Sequence, residues 1–219
     1  MKILTVSSLA LEGIKAIRFA RFHDRRGYFT EPYRESDIAR HPETSFLRGV
    51  NFVQVNESYS FPSVVRGLHF QWNPYMGKLV RTCSGRMVDL FLDIRQSSPT
   101  YGKIAAHDMP ANPSDSQGEW IWVPPGFAHG NYFTEPTRIE YMCTAEYSPG
   151  CEACISPLAE DIDWTLCDTR LRIEYRSLIA SPGLIITEKD AQGLTVSDWT
   201  RDERSGLFRH LDLRESPSS

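Results

Sequence analysis

The chain has 219 residues, 41% of them hydrophobic, and a formal net charge of −4. That is enough apolar material for one sizeable domain with a true core. No basic block marks a nucleic-acid surface, and no apolar run is long enough to span a bilayer.

The N-terminus, Met1-Lys2-Ile3-Leu4-Thr5-Val6, reads as a first strand. It lacks the extended apolar stretch and cleavage site of a signal peptide, so a cytoplasmic location is expected. Short apolar or alternating runs then dominate from Ile14 to Tyr147, among them 17–19, 52–56, 78–82, 87–94 and 119–123. Turn signals separate them at Ser84-Gly85, Ser98-Pro99, Asn112-Pro113 and Pro124-Pro125-Gly126. Many short strands with frequent turns predict a mostly β chain, a sandwich or barrel. In 87–94, alternation puts Val88, Leu90, Leu92 and Ile94 on one face. Met87, Asp89, Phe91 and Asp93 fall on the other, and two carboxylates there predict a polar cavity inside a barrel.

The last third differs. Thr187-Glu188-Lys189-Asp190 predicts a helix cap or turn, and the stretch from Leu194 to Trp199 a short helix. Residues 1–205 are expected to form a single domain, and 206–219 a polar tail, frayed from Leu213 onward. The five cysteines include one CxxC, Cys151-Glu152-Ala153-Cys154. Without a second, regularly spaced pair, this predicts free thiols, not a zinc or redox centre.

The segment Val65-Arg66-Gly67-Leu68-His69-Phe70-Gln71 carries most of the chemistry. In a strand, a bulge would let Arg66 and His69 serve one pocket despite their spacing of three. Lys78 follows nine residues after His69. A guanidinium to bind phosphate, an imidazole to take a proton and an ammonium to hold an oxyanion suit proton abstraction beside a ketone in a phosphate-bearing substrate. Taken singly, Arg26, Arg66 and Lys78 could be surface charges or ion pairs, but their placement beside apolar strand residues favours function; Tyr141 alone reads more often as a core or rim residue than as an acid.

Pro124-Pro125-Gly126-Phe127-Ala128-His129 has the PxGxxH form, which resembles the second motif of the cupin superfamily. Metal-binding cupins carry an HxH pair in their first motif, where this chain has His69-Phe70-Gln71. His69 and His129 alone lack further ligands, so a metal-free pocket is expected. Asp24-Arg25-Arg26-Gly27-Tyr28-Phe29-Thr30-Glu31, Gln54-Val55-Asn56, Arg66-Gly67-Leu68-His69, Gly77-Lys78-Leu79-Val80, Val88-Asp89 and the His129 motif follow in order. Together with Ser98-Pro99-Thr100-Tyr101-Gly102, Glu188-Lys189-Asp190 and Asp198-Trp199, this set resembles the dTDP-4-dehydrorhamnose 3,5-epimerase family across roughly residues 12 to 205.

The resemblance implies a cupin-type double-stranded β-helix, or jelly roll, with short C-terminal helices. It implies a cofactor-independent epimerase of a nucleotide-diphosphate sugar, working as a homodimer with an N-terminal strand exchanged across the interface. His69 would be the general base, Lys78 the enolate partner and Tyr141 the proton donor. Arg26 and Arg66 would grip the diphosphate and adjoining sugar. Phe29, Glu31, Gln54 and Asn56 would line the nucleotide side, with Asp89 and His129 at the cavity floor. The family also has an aspartate that orients the histidine, before an Asp-Trp pair. Aligned on Asp163-Trp164, that place holds Ala159 or Pro157, neither of which has a carboxylate. The departure leaves a single-centre epimerase, a ketoisomerase and a non-catalytic sugar-nucleotide-binding cupin as rivals, with a metal-dependent cupin oxygenase behind them.

Overall fold

The computed structural model describes residues 1–210 and Leu213. In chain order the strands begin with β1 (Ile3–Ser8), β2 (Lys15–Ala20) and the exposed hairpin β3 (Phe22–Asp24) and β4 (Gly27–Phe29). Helix α1 (Glu35–Arg40) and a 3₁₀ turn (Pro42–Leu47) follow. Then come β5 (Gln54–Ser60), β6 (Val65–Gln71), β7 (Lys78–Asp93), β8 (Ile104–Ala111), β9 (Gln117–Val123), β10 (Phe127–Phe133), β11 (Thr137–Cys143) and β12 (Glu152–Cys154). Three helices close the chain: α2 (Thr169–Ile179), α3 (Glu188–Ala191) and α4 (Val196–Arg201), with a 3₁₀ turn at Glu203–Leu207.

The long strand β7 organises the barrel. Ser84-Gly85 is not the turn that composition predicts; the strand runs straight through it. Before this point β7 pairs with β9 and β11, and after it with β8 and β10. Gly85 has φ +83°, and a Cβ there would lie 2.3 Å from the Pro136 carbonyl oxygen. Only glycine allows this backbone to bend and pass so close. β7 thereby belongs to both walls: β1-β2-β9-β7-β11-β5 on one side and β8-β7-β10-β6-β12 on the other.

The predicted alternation of 87–94 holds. Val88, Leu90, Leu92 and Ile94 pack outward with Leu171, Tyr175, Trp199 and Phe208 from the C-terminal segment. Met87 and Phe91 point inward, among Val80, Ile121, Phe127 and Ile139. The inward carboxylates part ways. Asp93 receives Arg95, Ser98 and Thr100 in a buried network and does not join Asp89. Outside the other wall, α1 and the 3₁₀ turn cover Ile17, Phe19, Leu79 and Trp120 with Ile38 and Leu47.

Each of the last three helices starts on a side-chain cap: Asp168 for α2, Thr187 for α3, and a Thr195/Asp198 capping box for α4. The cap of α3 and the short helix α4 match the sequence reading. Helix α2 escapes it, although Asp168 and the buried pair Leu171 and Tyr175, four apart, are its signal. The segment expected to open a polar tail at 206 holds Phe208, fully buried against Phe70 and Trp199. Of the positions expected to fray, all but Leu213 lie outside the described residues.

The strands β6 and β10 touch most closely at two glycines. A Cβ on Gly130 would lie 2.4 Å from the Arg66 carbonyl oxygen, and one on Gly67 2.6 Å from the Gly130 Cα. Gly130→Ala should therefore destabilise the fold by about 1–3 kcal/mol through overpacking, read as a shifted denaturation midpoint. Gly206→Ala, with nothing within 4 Å, is the control and should stay within about 0.5 kcal/mol.

Candidate active site

The site grows from the β6–β10 contact. His129 pairs with His69, but Asn131 pairs with Arg66, so three steps on β6 face two on β10. This is the bulge the sequence calls for. It leaves Val65 and Leu68 on the outer core and brings Arg66 and His69 to one inner cavity.

That interior has two adjoining chambers of about 320 and 570 Å³. His69, Lys78, His129 and Tyr141 line both of them. The four come from β6, β7, β10 and β11, so the chemistry stands on strands and not on mobile loops. Gln54 and Asn56 line the first chamber and hold each other, Gln54 Nε2 donating to Asn56 Oδ1 at 3.0 Å. Arg66 borders the second, its Nε donating to Ser60 Oγ at 3.0 Å.

His69 does have a carboxylate. Its Nε2 lies 2.8 Å from Asp190 Oδ1. Asp190 is held in turn, because its Oδ2 accepts the Gly67 N–H at 3.1 Å and its own N–H donates to Thr187 Oγ1 at 3.2 Å. The expectation of a missing orienting aspartate is thus overturned. The partner stands before the second Asp-Trp pair, Asp198-Trp199, and not before Asp163-Trp164. Ala159 packs against the outer core instead.

His129 has its own acid. Its Nε2 is 2.7 Å from Asp89 Oδ1, and the ring stacks on Phe91. Asp89 is fully enclosed behind this imidazole, so it reaches the cavity only through His129. Lys78 has no hydrogen-bond or ion-pair partner among the described residues, which leaves its ammonium for a ligand. Burial pulls Lys78 below its ordinary 10.5, with Cys143, Asp89 and Glu152 pulling the other way. Burial and Cys143 hold the Tyr141 phenol above its ordinary 10.0, against Asn56 and Arg66.

Three expected site residues lie elsewhere. Arg26 is 84% exposed and pairs with Asp24 inside its own hairpin. Phe29 is 66% exposed, and Glu31 is tied to Arg34. None of them lines either chamber. Among the unforeseen residues that do are the polar Tyr147, Glu152, Lys189 and Gln71 of the first chamber. Glu152 Oε1 accepts from both Tyr147 Oη and Lys189 Nζ at 2.8 Å, forming a polar rim. Gln71 follows His69 by two in β6, so strand period was its signal.

The residues 8–198 match the family model described as dTDP-4-dehydrorhamnose 3,5-epimerase. The chain belongs to that family. The dTDP-4-dehydrorhamnose 3,5-epimerase of Sinorhizobium fredii is 42% identical over 144 residues, 64% of this chain and 69% of that protein. The one from Pseudomonas aeruginosa is 34% identical over 183 residues, covering 81% and 87%. The solved structure of the Mycobacterium tuberculosis RmlC epimerase superposes with TM-score 0.77 at 28% identity over 96% of both chains. The Legionella pneumophila 3,5-epimerase, solved with dTDP-4-keto-L-rhamnose, gives 0.73 at 27% identity over 94% of this chain and 97% of its own. This epimerase-family chain has their cupin-type jelly roll.

The His69–Asp190 pair makes a pH prediction for this family member. Burial raises the Asp190 carboxyl, but the His69 contact, the Gly67 N–H and Thr187 outweigh it and leave it below its ordinary 3.8. A carboxyl lowered by folding adds stability above the unfolded value, and that stability is lost as pH falls through the folded one. Asp190→Asn should flatten the acid side of the stability curve, measured by denaturant melts between about pH 2 and 5. An unchanged acid slope would detach Asp190 from His69. Ala159→Asp should leave turnover where it is.

Proposed function

We propose that this chain epimerises a nucleotide-linked 4-keto-6-deoxy sugar, removing a proton next to the 4-keto group and returning one on the opposite face. The observation that carries the reading is the convergence of an aligned imidazole, an unpaired ammonium and a phenol on one interior.

The steps follow from the side chains. When His69 Nε2–H donates to Asp190, the free lone pair is on Nδ1. That lone pair takes the sugar proton, and Asp190 stabilises the imidazolium that forms. The electrons of the broken C–H bond move onto the ketone oxygen, where Lys78 compensates the charge in a partly dry cavity. Tyr141 Oη then gives a proton to the carbon from the other side, which inverts the centre. The high phenol pKa keeps that proton in place at neutral pH. No electron leaves the substrate, so the cycle needs no redox partner.

The same reading makes the working unit a pair of chains. Arg26, Phe29 and Glu31 line neither chamber of their own chain and stand on or beside an exposed hairpin. The edge strand β5 presents Val55 and Tyr59 to solvent, flanked by Val53 and Phe61, with Val55 61% and Phe61 63% exposed. An apolar edge of this kind suits a second copy. A hairpin delivered from that copy brings the arginine and aromatic ring to the nucleotide side. Five free cysteines agree with a cytoplasmic setting, and no helix of the described residues is long and apolar enough to cross a membrane.

Incubation with dTDP-4-keto-6-deoxyglucose in D₂O tests the reaction. His69→Asn should slow deuterium uptake by about 10²–10⁴-fold, and Tyr141→Phe should impair inversion more than proton removal. Unchanged exchange in His69→Asn ends the assignment; label at one carbon alone makes the chain a single-centre epimerase. Lys78 should also set the alkaline limb of kcat. Burial holds its ammonium below the ordinary 10.5, so Lys78→Arg should move the limb to higher pH. Sedimentation should give a dimer that Phe61→Asp weakens.

A further inference from the structure

The structure assigns a site for a single soft divalent cation of the zinc class to His69 Nε2, Asp190 Oδ1 and Cys154 Sγ. The three donor atoms lie within 4.8 Å of one another and are the one such His/Cys/acid group among the described residues.

Imidazole nitrogen, carboxylate oxygen and thiolate are each zinc donors, with bonds of about 2.0–2.3 Å. Cys154 Sγ is 4.0 Å from Asp190 Oδ1, and His69 Nε2 is 2.8 Å from the same oxygen. An ion at their centre asks the nitrogen and oxygen to part by a few tenths of an ångström and the sulfur to close in. The frame is already built. Cys154 sits opposite His69 in the β12–β6 ladder. Its carbonyl accepts the Leu194 N–H at 2.9 Å, and the next residue, Ile155, exchanges both backbone bonds with Leu68. Asp190 Oδ2 is occupied by the Gly67 N–H, which leaves Oδ1 to face the other two donors. Such outer contacts fix ligand direction. Two of the three donors reach open space: His69 lines both chambers and Asp190 the second.

The charges balance. The Cys154 thiol releases its proton to solvent, and the proton on His69 Nε2 is re-formed on Nδ1. A 2+ ion with one thiolate and one carboxylate is neutral, which burial favours. Cys151, its CxxC companion, takes no part. The site differs from the two-histidine arrangement of metal cupins, because His129 Nε2 is engaged by Asp89.

A consequence rests on the proposed function. Metal at Nε2 leaves a proton on Nδ1, the atom that must receive the sugar proton, so the bound ion switches the base off.

The test uses the full chain, stripped with chelator and titrated with Co²⁺. Wild type should bind one ion per chain with a near-ultraviolet thiolate-to-cobalt band and a strong tetrahedral visible spectrum, displaced by Zn²⁺. Cys151→Ala should behave identically. Cys154→Ala should lose the thiolate band, with affinity falling by more than the about 10–100-fold that loss of an outer contact costs. Cys154→Val, closer in shape, serves as a second variant if alanine leaves an unstable fold. No thiolate band in wild type, or a band that survives loss of Cys154, overturns the site. Zn²⁺ should also stop deuterium uptake in wild type and spare Cys154→Ala. Thiolate-bound metal without inhibition would uphold the site and overturn His69 as the base, so the two readings fail separately.

Discussion

The close approach of β6 and β10 is the constraint on which the molecule depends. Two glycines let one backbone ride against the other, and the ladder responds with a bulge. Without that extra residue, strand alternation would send Arg66 and His69 to opposite faces. With it, the outer core keeps Val65 and Leu68 and the inner cavity gains both polar groups. One local distortion thus satisfies packing and chemistry together, and Gly67 supplies in addition the N–H that anchors Asp190.

Much of this architecture was legible in the residues themselves. The 87–94 stretch showed its two faces by simple alternation, and both packed as read. The Thr187 cap announced its helix because capping is a local hydrogen-bond arrangement. Ser84-Gly85 misled for a physical reason: a glycine with positive φ can end a strand or bend one that continues, and only the sheet partners decide which. Asp93 misled similarly. Its face was right, but Arg95 two residues on claimed it, and a buried ion pair leaves nothing over for a ligand.

The candidate site divides along the same line. His69, Lys78, Tyr141, Gln54, Asn56 and His129 sit on strands that share one interior, so their order along the chain carried their grouping. Asp190 lies 121 residues from its imidazole, and the chain offers two Asp-Trp pairs as landmarks; alignment on the earlier one gave Ala159. Cys154 was hidden by its CxxC neighbour, since the donors it meets lie on other segments. Arg26, Phe29 and Glu31 line neither chamber of their own chain, and their grouping with the site rests on the pairing of two chains that we propose.

The separation of the imidazole from its acid also has a temporal meaning. A chain emerging from the ribosome presents all the barrel strands before the short helix that bears Asp190 has been made. The hydrogen bond that holds the His69 ring thus comes from a segment translated after the whole barrel. Trp199 and Phe208, seated in the outer core, anchor that segment. The tautomer of a barrel imidazole is set by residues that follow the barrel in the order of synthesis.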